Sequence, residues 1–171
     1  MTITYVKIAS VAVGAGGAAS MDFSSIPATY TDLKLVFMLR YNGSLDTRFK
    51  VRFNADSGAN YSFKILEGNG ASASSSGASV TTSIQSDSGN YAATTSSVFS
   101  SGELYIPNYL SANQKSVSID NVEENNAATA YATLVAGLWS GTAAINEITI
   151  SPLSDQLVQY SSATLYGIKS S

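Results

Sequence analysis

Paired carboxylates are the first groups to consider, because many hydrolases use two acids as general acid and general base. Glu123 and Glu124 form the adjacent acidic pair of this sequence, and two asparagines follow them directly. No apolar residue beside them would raise the pKa of a carboxyl group, as a general acid requires. We therefore interpret both glutamates as parts of a solvated turn and as candidate contact residues for a partner.

Nucleophilic and redox chemistry have little support, because the chain contains no histidine and no cysteine. A Ser-His-Asp triad lacks its base, and no serine lies in a Gly-x-Ser-x-Gly elbow. Disulfides, zinc thiolates and thiol nucleophiles are excluded. A glycine-rich phosphate loop is missing as well. The sequence predicts a protein without enzymatic activity and without a cofactor.

One loop has the composition of a calcium site. Asn54, Asp56 and Asn60 place oxygen atoms at alternate positions around Gly58, and hard cations prefer such ligands. An EF-hand also needs a later glutamate at fixed spacing and two flanking helices, which this sequence lacks. The same residues are common in ordinary β-turns. We predict a turn without metal and keep the three polar side chains as candidate loop contacts.

Basic residues are concentrated around one predicted strand. Arg48, Lys50 and Arg52 alternate along it, so their side chains should project from one side. Neighbouring strands should add more, which gives a candidate docking face of Lys34, Arg40, Arg48, Lys50, Arg52 and Lys64. The face has two interpretations. It could bind an acidic partner, or it could be solvent-facing charge that discourages aggregation.

The composition favours an assembled protein. Charged residues make up 12% of the chain, about half the usual share, and a surface with few charges promotes association. The net charge of −3 argues against a generally basic nucleic-acid binder. No apolar run approaches the length of a membrane span, and the N-terminus lacks the pattern of a signal peptide.

Aromatic residues offer a second kind of binding site. Trp139 and the ten tyrosines could form a platform on which sugars stack. Most of them fit core positions better, since Trp139 ends an apolar run and Tyr41 and Tyr61 follow the core alternation. Tyr105, Tyr109 and Tyr160 are freer to be exposed, so a carbohydrate-binding module remains the alternative.

The segment from Asp32 to Asn54 shows the clearest structural pattern. Apolar residues recur at every second position from Leu33 to Tyr41 and again from Phe49 to Phe53, which is typical of strands with one buried face. Asn42, Gly43 and Asp46 lie between the two runs, so we predict an antiparallel hairpin. Residues 61–67 should add a third strand to the same sheet.

The whole chain reads as all-β. About ten strands with turn signals between them, and no helical stripe, predict a jelly-roll-like antiparallel sandwich of two sheets in one domain, residues 1–171. The strands at the two ends of the chain should pair with each other. Residues 130–140 are more continuously apolar, as in a strand buried on both sides. Residues 68–79 are rich in glycine and serine and should form a mobile loop.

Several segments of the sequence resemble a known class of proteins. They are Ser25–Leu33, Arg52–Tyr61, Gly137–Ser140 and Ala163–Ile168. They are similar to segments of small structural proteins from tailed bacteriophages, especially phages of marine cyanobacteria. The resemblance implies a jelly-roll-like sandwich without enzymatic activity that assembles on the virion. One implied role is capsid decoration on the head surface, as a trimer or other oligomer bound to the major capsid protein or other virion proteins. The other is a fibre or tail component that meets the host surface.

Overall fold

A computed structural model describes residues 3–43, 48–87, 89–127 and 130–170. The described chain folds into strands joined by turns, with no helix. The strands are β1 (Ile3–Ala12), β2 (Met21–Phe23), β3 (Asp32–Leu39), β4 (Phe49–Phe53), β5 (Tyr61–Gly68), β6 (Ala73–Thr81), β7 (Ile84–Ser86), β8 (Ser100–Ile106), β9 (Lys115–Glu123), β10 (Tyr131–Trp139), β11 (Ile148–Pro152) and β12 (Ser162–Ser170). The all-β prediction is confirmed, with twelve strands where about ten were expected.

Two antiparallel sheets pack face to face. The large sheet has the order β1-β12-β3-β8-β9-β10-β5-β6, and the small sheet has the order β2-β11-β4-β7. Strands β1, β12, β3 and β8 with the whole small sheet reproduce the double Greek key of a jelly roll. In this set the chain passes from one sheet to the other at each step except from β4 to β7, which are neighbours in the small sheet. Strands β9, β10, β5 and β6 extend the large sheet beyond β8.

Alternating residues build the core between the sheets, as the sequence pattern predicts. Leu33, Leu35 and Leu39 on β3 are fully buried, and so are Phe49 and Phe53 on β4. Each strand therefore directs one face inward, and burial of these side chains stabilises the fold by about 1.5–3 kcal/mol each.

The two layers meet at several specific contacts. Phe37 of the large sheet and Phe49 of the small sheet pack edge to face, with ring centroids 5.0 Å apart. In the extension, Gly137 of β10 lies against Ile84 of β7, and an added Cβ would come within 2.8 Å of the isoleucine side chain. The extension thus shares the small sheet as its packing partner.

The predicted hairpin of β3 and β4 is wrong. β3 pairs with β12 and β8 in the large sheet, whereas β4 pairs with β11 and β7 in the small one. The connection crosses between the layers, where Tyr41 forms a bridge with Leu157. Asp46, expected in the turn, lies outside the described residues. The third predicted strand, β5, belongs to the large sheet together with β3, whereas β4 belongs to the small sheet.

Two other expectations about strands have clear outcomes. The terminal strands β1 and β12 pair antiparallel, as predicted, with Tyr5 opposite Ile168. Most of the segment 68–79 is a strand rather than the expected loop, because β6 pairs with β5 in a hairpin. In the described parts of the chain, no helix is long and apolar enough to cross a lipid bilayer.

Candidate docking surface

The outward face of the large sheet carries large apolar side chains that nothing in the described chain covers. We call this set the apolar strip. It consists of Val36 and Met38, each 39% exposed, Val122, 43% exposed, and Leu134 and Leu66, each 54% exposed. Large exposed apolar patches are typical of interaction sites.

The strand register makes the strip continuous across five strands, from β3 to β5. Met38 lies opposite Ser101, which lies opposite Val122 on the next strand. Two residues further along the strands, Leu134 lies directly opposite Leu66. Ser101 separates Met38 from Val122, but its side chain is smaller than theirs and does not block access to them.

A groove in the sheet surface runs beside the strip. It has a volume of about 710 Å³ and is lined by Tyr105 and Pro107 at one side and by Leu66 and Leu134 at the other. A second depression of about 490 Å³ adjoins it around Leu66 and Val122. The sheet surface is therefore concave here and can accommodate a protruding loop or an elongated ligand.

Charges on this face are few and partly compensated. Lys34 forms an ion pair with Glu103, with Nζ 2.6 Å from Oε2. Asp120 lies directly opposite Glu103 on the neighbouring strand, so two acids are adjacent near the middle of the face. Lys64 on β5 is one of the residues that line the groove. The face thus combines apolar contact area with a few charges that could set orientation.

Tyr105 is held rigidly at the wall of the groove. Its hydroxyl donates to Oδ2 of Asp32 at 2.8 Å, and the other oxygen of Asp32 accepts from the Asn108 backbone at 2.8 Å. Burial, and then the hydrogen bond to Asp32, raise the pKa of the Tyr105 hydroxyl. The ring is therefore a fixed part of the surface.

The six basic residues of the predicted docking face do not share one face. Lys34 and Lys64 lie on the large sheet with three strands between theirs, whereas Lys50 and Arg52 lie on the small sheet. The prediction fails because it assumed one sheet for β3, β4 and β5. The spacing argument holds only for the side chains that project from β4.

The basic residues on and beside β4 are largely engaged within the chain. Arg48 forms an ion pair with Asp87. Arg52 donates from Nε to the Thr82 carbonyl at 2.9 Å. Burial, and then the charge of Arg52, lower the pKa of Lys50. This cluster is smaller than the predicted face and lies on the opposite side of the molecule from the apolar strip.

Arg40 turns inward instead of joining a surface. It is 9% exposed, and its guanidinium donates to the carbonyls of Thr95 at 2.9 Å and Val98 at 2.7 Å. Burial lowers its pKa. The prediction that Arg40 faces outward is wrong. The in-and-out alternation of β3 ends at Leu39, and the chain then crosses to the other sheet.

The loop from Asn54 to Asn60 is held together by its own polar groups. The Asp56 carboxylate accepts from Trp139 Nε1 at 2.8 Å, from Asn60 Nδ2 at 3.0 Å and from the Gly58 backbone at 2.8 Å. These bonds, led by that of Trp139, lower the pKa of Asp56.

The loop is also fastened to the chain that follows Trp139. Asn54 accepts from the Asn146 backbone at 2.9 Å and donates to the Ala144 carbonyl at 2.8 Å. The polar side chains expected to contact a partner therefore fix the loop. No cluster of three or more acidic, histidine or cysteine ligands suited to a metal occurs among the described residues.

The two glutamates occupy different environments. Glu123 ends β9 on its inward face and is only 3% exposed, so its assignment to a solvated turn is wrong. Its Oε1 accepts a long bond of 3.5 Å from Asn125. Glu124 points outward, and its Oε1 accepts from the Asn126 backbone at 2.8 Å. The alternation that begins at Val117 would have placed Glu123 inside.

The aromatic residues divide between core and surface. Trp139 is 4% exposed, and Tyr109, expected to be freer, is fully buried. The Tyr109 hydroxyl donates to the Pro27 carbonyl. Tyr160 is 68% exposed, and Tyr105 is partly exposed at the groove. Of these four residues, only Tyr105 lies on the concave surface, where a ligand could contact it.

The apolar strip was not predicted from the sequence, although the sequence contains a signal for it. Residues 130–140 were expected to form a strand covered on both sides, and β3 likewise carries apolar residues on both faces. In the structure one face of each strand is buried and the other is open. Apolar residues at uncovered positions of two strands were thus the available indication of a docking surface.

Comparison of the chain with protein-family models, with curated proteins and with solved structures finds no significant match.

Proposed function

We propose that this protein is a non-enzymatic structural protein of a bacteriophage virion, a capsid decoration protein that binds and stabilises the head shell. The observation that carries the docking part of the proposal is the exposed apolar strip on the large sheet. The assignment to a virion comes from the sequence resemblance alone. Its partner is the major capsid protein or another virion protein.

The strip suits attachment to a protein lattice. Leu134 and Leu66 stand side by side next to a concave groove, which can receive a protruding loop of the shell. Each copy contributes a modest area, and many copies on one particle, or copies linked as oligomers, would raise the overall avidity. The predicted basic docking face contributes through Lys34 and Lys64 at the borders of this surface.

The test is reassociation with particles from which the protein has been stripped. Wild-type protein should bind back to saturation, whereas Leu66→Asp/Leu134→Asp should bind at least about 100-fold more weakly, because two charges would be desolvated in an apolar contact. Val122→Asp should bind at least about tenfold more weakly.

The matched control is Leu153→Asp. Leu153 is as exposed as Val122, at 43%, but belongs to the small sheet side, so its replacement should leave binding unchanged. The proposal would be contradicted if the strip variants bound as tightly as the wild type while Arg48→Glu/Lys50→Glu/Arg52→Glu lost binding. That result would assign docking to the small sheet.

A carbohydrate-binding module of a tail fibre is the second candidate. The groove volume of about 710 Å³ is suitable for a few sugar units, and Tyr105 at its wall offers a ring for contact. Calorimetric titration with a panel of host-type oligosaccharides tests it, with Tyr105→Ala as the variant that should lose binding. Trp139 cannot report such binding by quenching, since it is buried behind Asp56.

A further inference from the structure

The strand β6 forms an open edge of the large sheet. It pairs with β5 on one side and with no described strand on the other. All nine residues, Ala73–Thr81, are exposed except Ala78 and Thr81, which are partly exposed. The strand contains no charged residue and no proline. An edge of this kind presents unpaired N–H and C=O groups to another strand.

The other three edges of the two sheets are protected. β1 carries Lys7 and has an irregularity between Lys7 and Ala9 that interrupts its ladder. β2 and β7 have only three residues each. Bulges, lysines and short length are the usual means by which proteins prevent edge pairing. The stretch Ala73–Ser79 of β6 has none of these devices, because the irregularity of this strand lies after it, where the register with β5 shifts at Val80.

The strand also contributes almost nothing to the core. Fixing each backbone residue costs about 1–2 kcal/mol of conformational entropy, and β6 buries no side chain that would offset this cost. The ladder with β5 orders the strand, together with polar contacts in which Ser76 Oγ donates to Asp87 at 3.4 Å and the Thr81 hydroxyl donates to the Ser83 carbonyl at 2.8 Å. A second ladder on the free edge would therefore stabilise this strand more than a typical edge strand.

Hydrogen-bond alternation identifies the backbone groups that face outward. The Asn69 amide donates to the Ser72 carbonyl at 3.1 Å in the turn of the hairpin. In an antiparallel ladder, bonded and non-bonded pairs alternate from such a closing pair. Counting along the register places the N–H and C=O groups of Ser75, Gly77 and Ser79 on the free edge.

Gly77 supports this assignment independently. A Cβ added to it would lie 2.5 Å from the Phe63 carbonyl oxygen and 3.2 Å from the Lys64 α-carbon. Its α-carbon therefore faces β5, as it does in a non-bonded pair, and its N–H points away. The close approach also explains why glycine occupies this position.

We propose that β6 pairs antiparallel with β6 of a second copy of this chain, so that the two large sheets form one continuous sheet across a two-fold axis. An uncharged strand meets its own copy without like-charge repulsion, and facing serine and threonine side chains can hydrogen-bond across the strands. The symmetric contact uses both free edges and closes the assembly. A foreign strand fits less well, because β6 has no side-chain pockets that would select its sequence.

Sedimentation and amide hydrogen exchange of the intact protein test this inference. We expect a reversible dimer in which the amides of Ser75, Gly77 and Ser79 are protected and lose protection on dilution. The amides of Ser74 and Ser76, which bond to β5, should stay protected in the monomer as well.

The decisive variant is Ser75→Pro. It removes an outward N–H in each copy while the ladder with β5 remains. The dissociation constant of the dimer should therefore rise at least about tenfold. Ser75→Ala, which loses the same hydroxyl but keeps the N–H, should dimerise like the wild type. Should the proline variant lose its native circular dichroism, Ser75→Lys replaces it, since an edge lysine also opposes pairing.

Three results would overturn the inference. One is a protein that stays monomeric up to millimolar concentration. Another is a dimer that Ser75→Pro leaves unchanged or in which the three outward amides exchange freely. The third is a trimer or ring, as the sequence resemblance implies, because that assembly requires head-to-tail contacts instead of a two-fold pair.

Discussion

Arg40 shows how a single charged side chain organises an otherwise weak segment. Residues 91–99 contain few large apolar groups, yet they follow a defined path because the guanidinium of Arg40 donates hydrogen bonds to the carbonyls of Thr95 and Val98. The carbonyl of Thr94 accepts a further bond at 3.3 Å. Arginine suits this role, because its planar fork offers several donors in fixed directions.

We predict that Arg40→Met destabilises the protein by about 2–4 kcal/mol, because several partly buried carbonyls lose a charged donor at once. Arg48→Met, which breaks a more exposed ion pair with Asp87, should cost less than about 1 kcal/mol. Urea unfolding of both variants measures the difference. Equal losses would show that Arg40 does not organise this segment.

Asp56 should make stability depend on acid pH. Its hydrogen bonds from Trp139, Asn60 and Gly58 lower its pKa in the folded state, so folding favours the carboxylate. This contribution is present above the ordinary pKa of about 4 and is lost as the pH falls through the lower folded pKa.

Asp56→Asn should therefore cost about 1–2 kcal/mol near neutral pH, because the charged acceptor of Trp139 is lost. Its thermal unfolding temperature should fall less steeply than that of the wild type below pH 4. Asp155→Asn, in an exposed turn, is the control. If the unfolding temperatures of Asp56→Asn and the wild type fell equally steeply below pH 4, the role of this carboxylate would be contradicted.

At the level of elements, the sequence predicts which residues face inward better than which strands are neighbours. Leu33 and Phe49 are buried as their alternation indicates, but the same alternation fits either sheet. Nothing local distinguishes a tight hairpin from a connection that crosses between layers. The pairing of the terminal strands was predictable because both ends of the chain carry large apolar residues, Tyr5, Val6 and Ile8 at one end and Leu165, Tyr166 and Ile168 at the other.

Other elements escaped prediction for different physical reasons. β6 has a single large apolar residue, Val80, which is exposed, so its strand conformation depends on the ladder with β5 and leaves no alternating pattern in its own side chains. Glu123 was misplaced because its charge was given more weight than its position in the alternation of β9. The apolar strip required knowledge of which face stays uncovered, and that depends on the order of the strands.

The contact between β10 and β7 should determine how the extension is held. Gly137→Ala would place a Cβ within about 3 Å of the Ile84 Cδ1 and Cγ2 atoms, in a region without free space. We expect a loss of about 1–3 kcal/mol from overpacking, measured by denaturant unfolding.

A second substitution checks the cause of that loss. Ile84→Val removes the Cδ1 methyl and should recover part of the stability lost in Gly137→Ala, as a double-mutant cycle would show. Strictly additive effects would mean that the glycine is required for another reason. Gly68→Ala, where an added Cβ meets no atom within 4 Å, is the matched control.

At the scale of the whole molecule, the extension turns a jelly roll into a protein with a broad outer face. Strands β9, β10 and β5 carry Val122, Leu134 and Leu66 of the strip and the floor of the groove. The core of the jelly roll does not need this face for its own burial. The open edge of β6 lies at the end of the same extension, so docking and pairing would both use the added strands.

We propose that the outer face of the large sheet attaches this protein to a larger assembly. A cryo-electron microscopy reconstruction of the particle that carries the protein tests it most directly. The proposal predicts Leu66, Val122 and Leu134 in contact with the shell, with the side chains of β4 facing away from it. A reconstruction in which these three residues face solvent, while Arg48, Lys50 and Arg52 meet the shell, would contradict it.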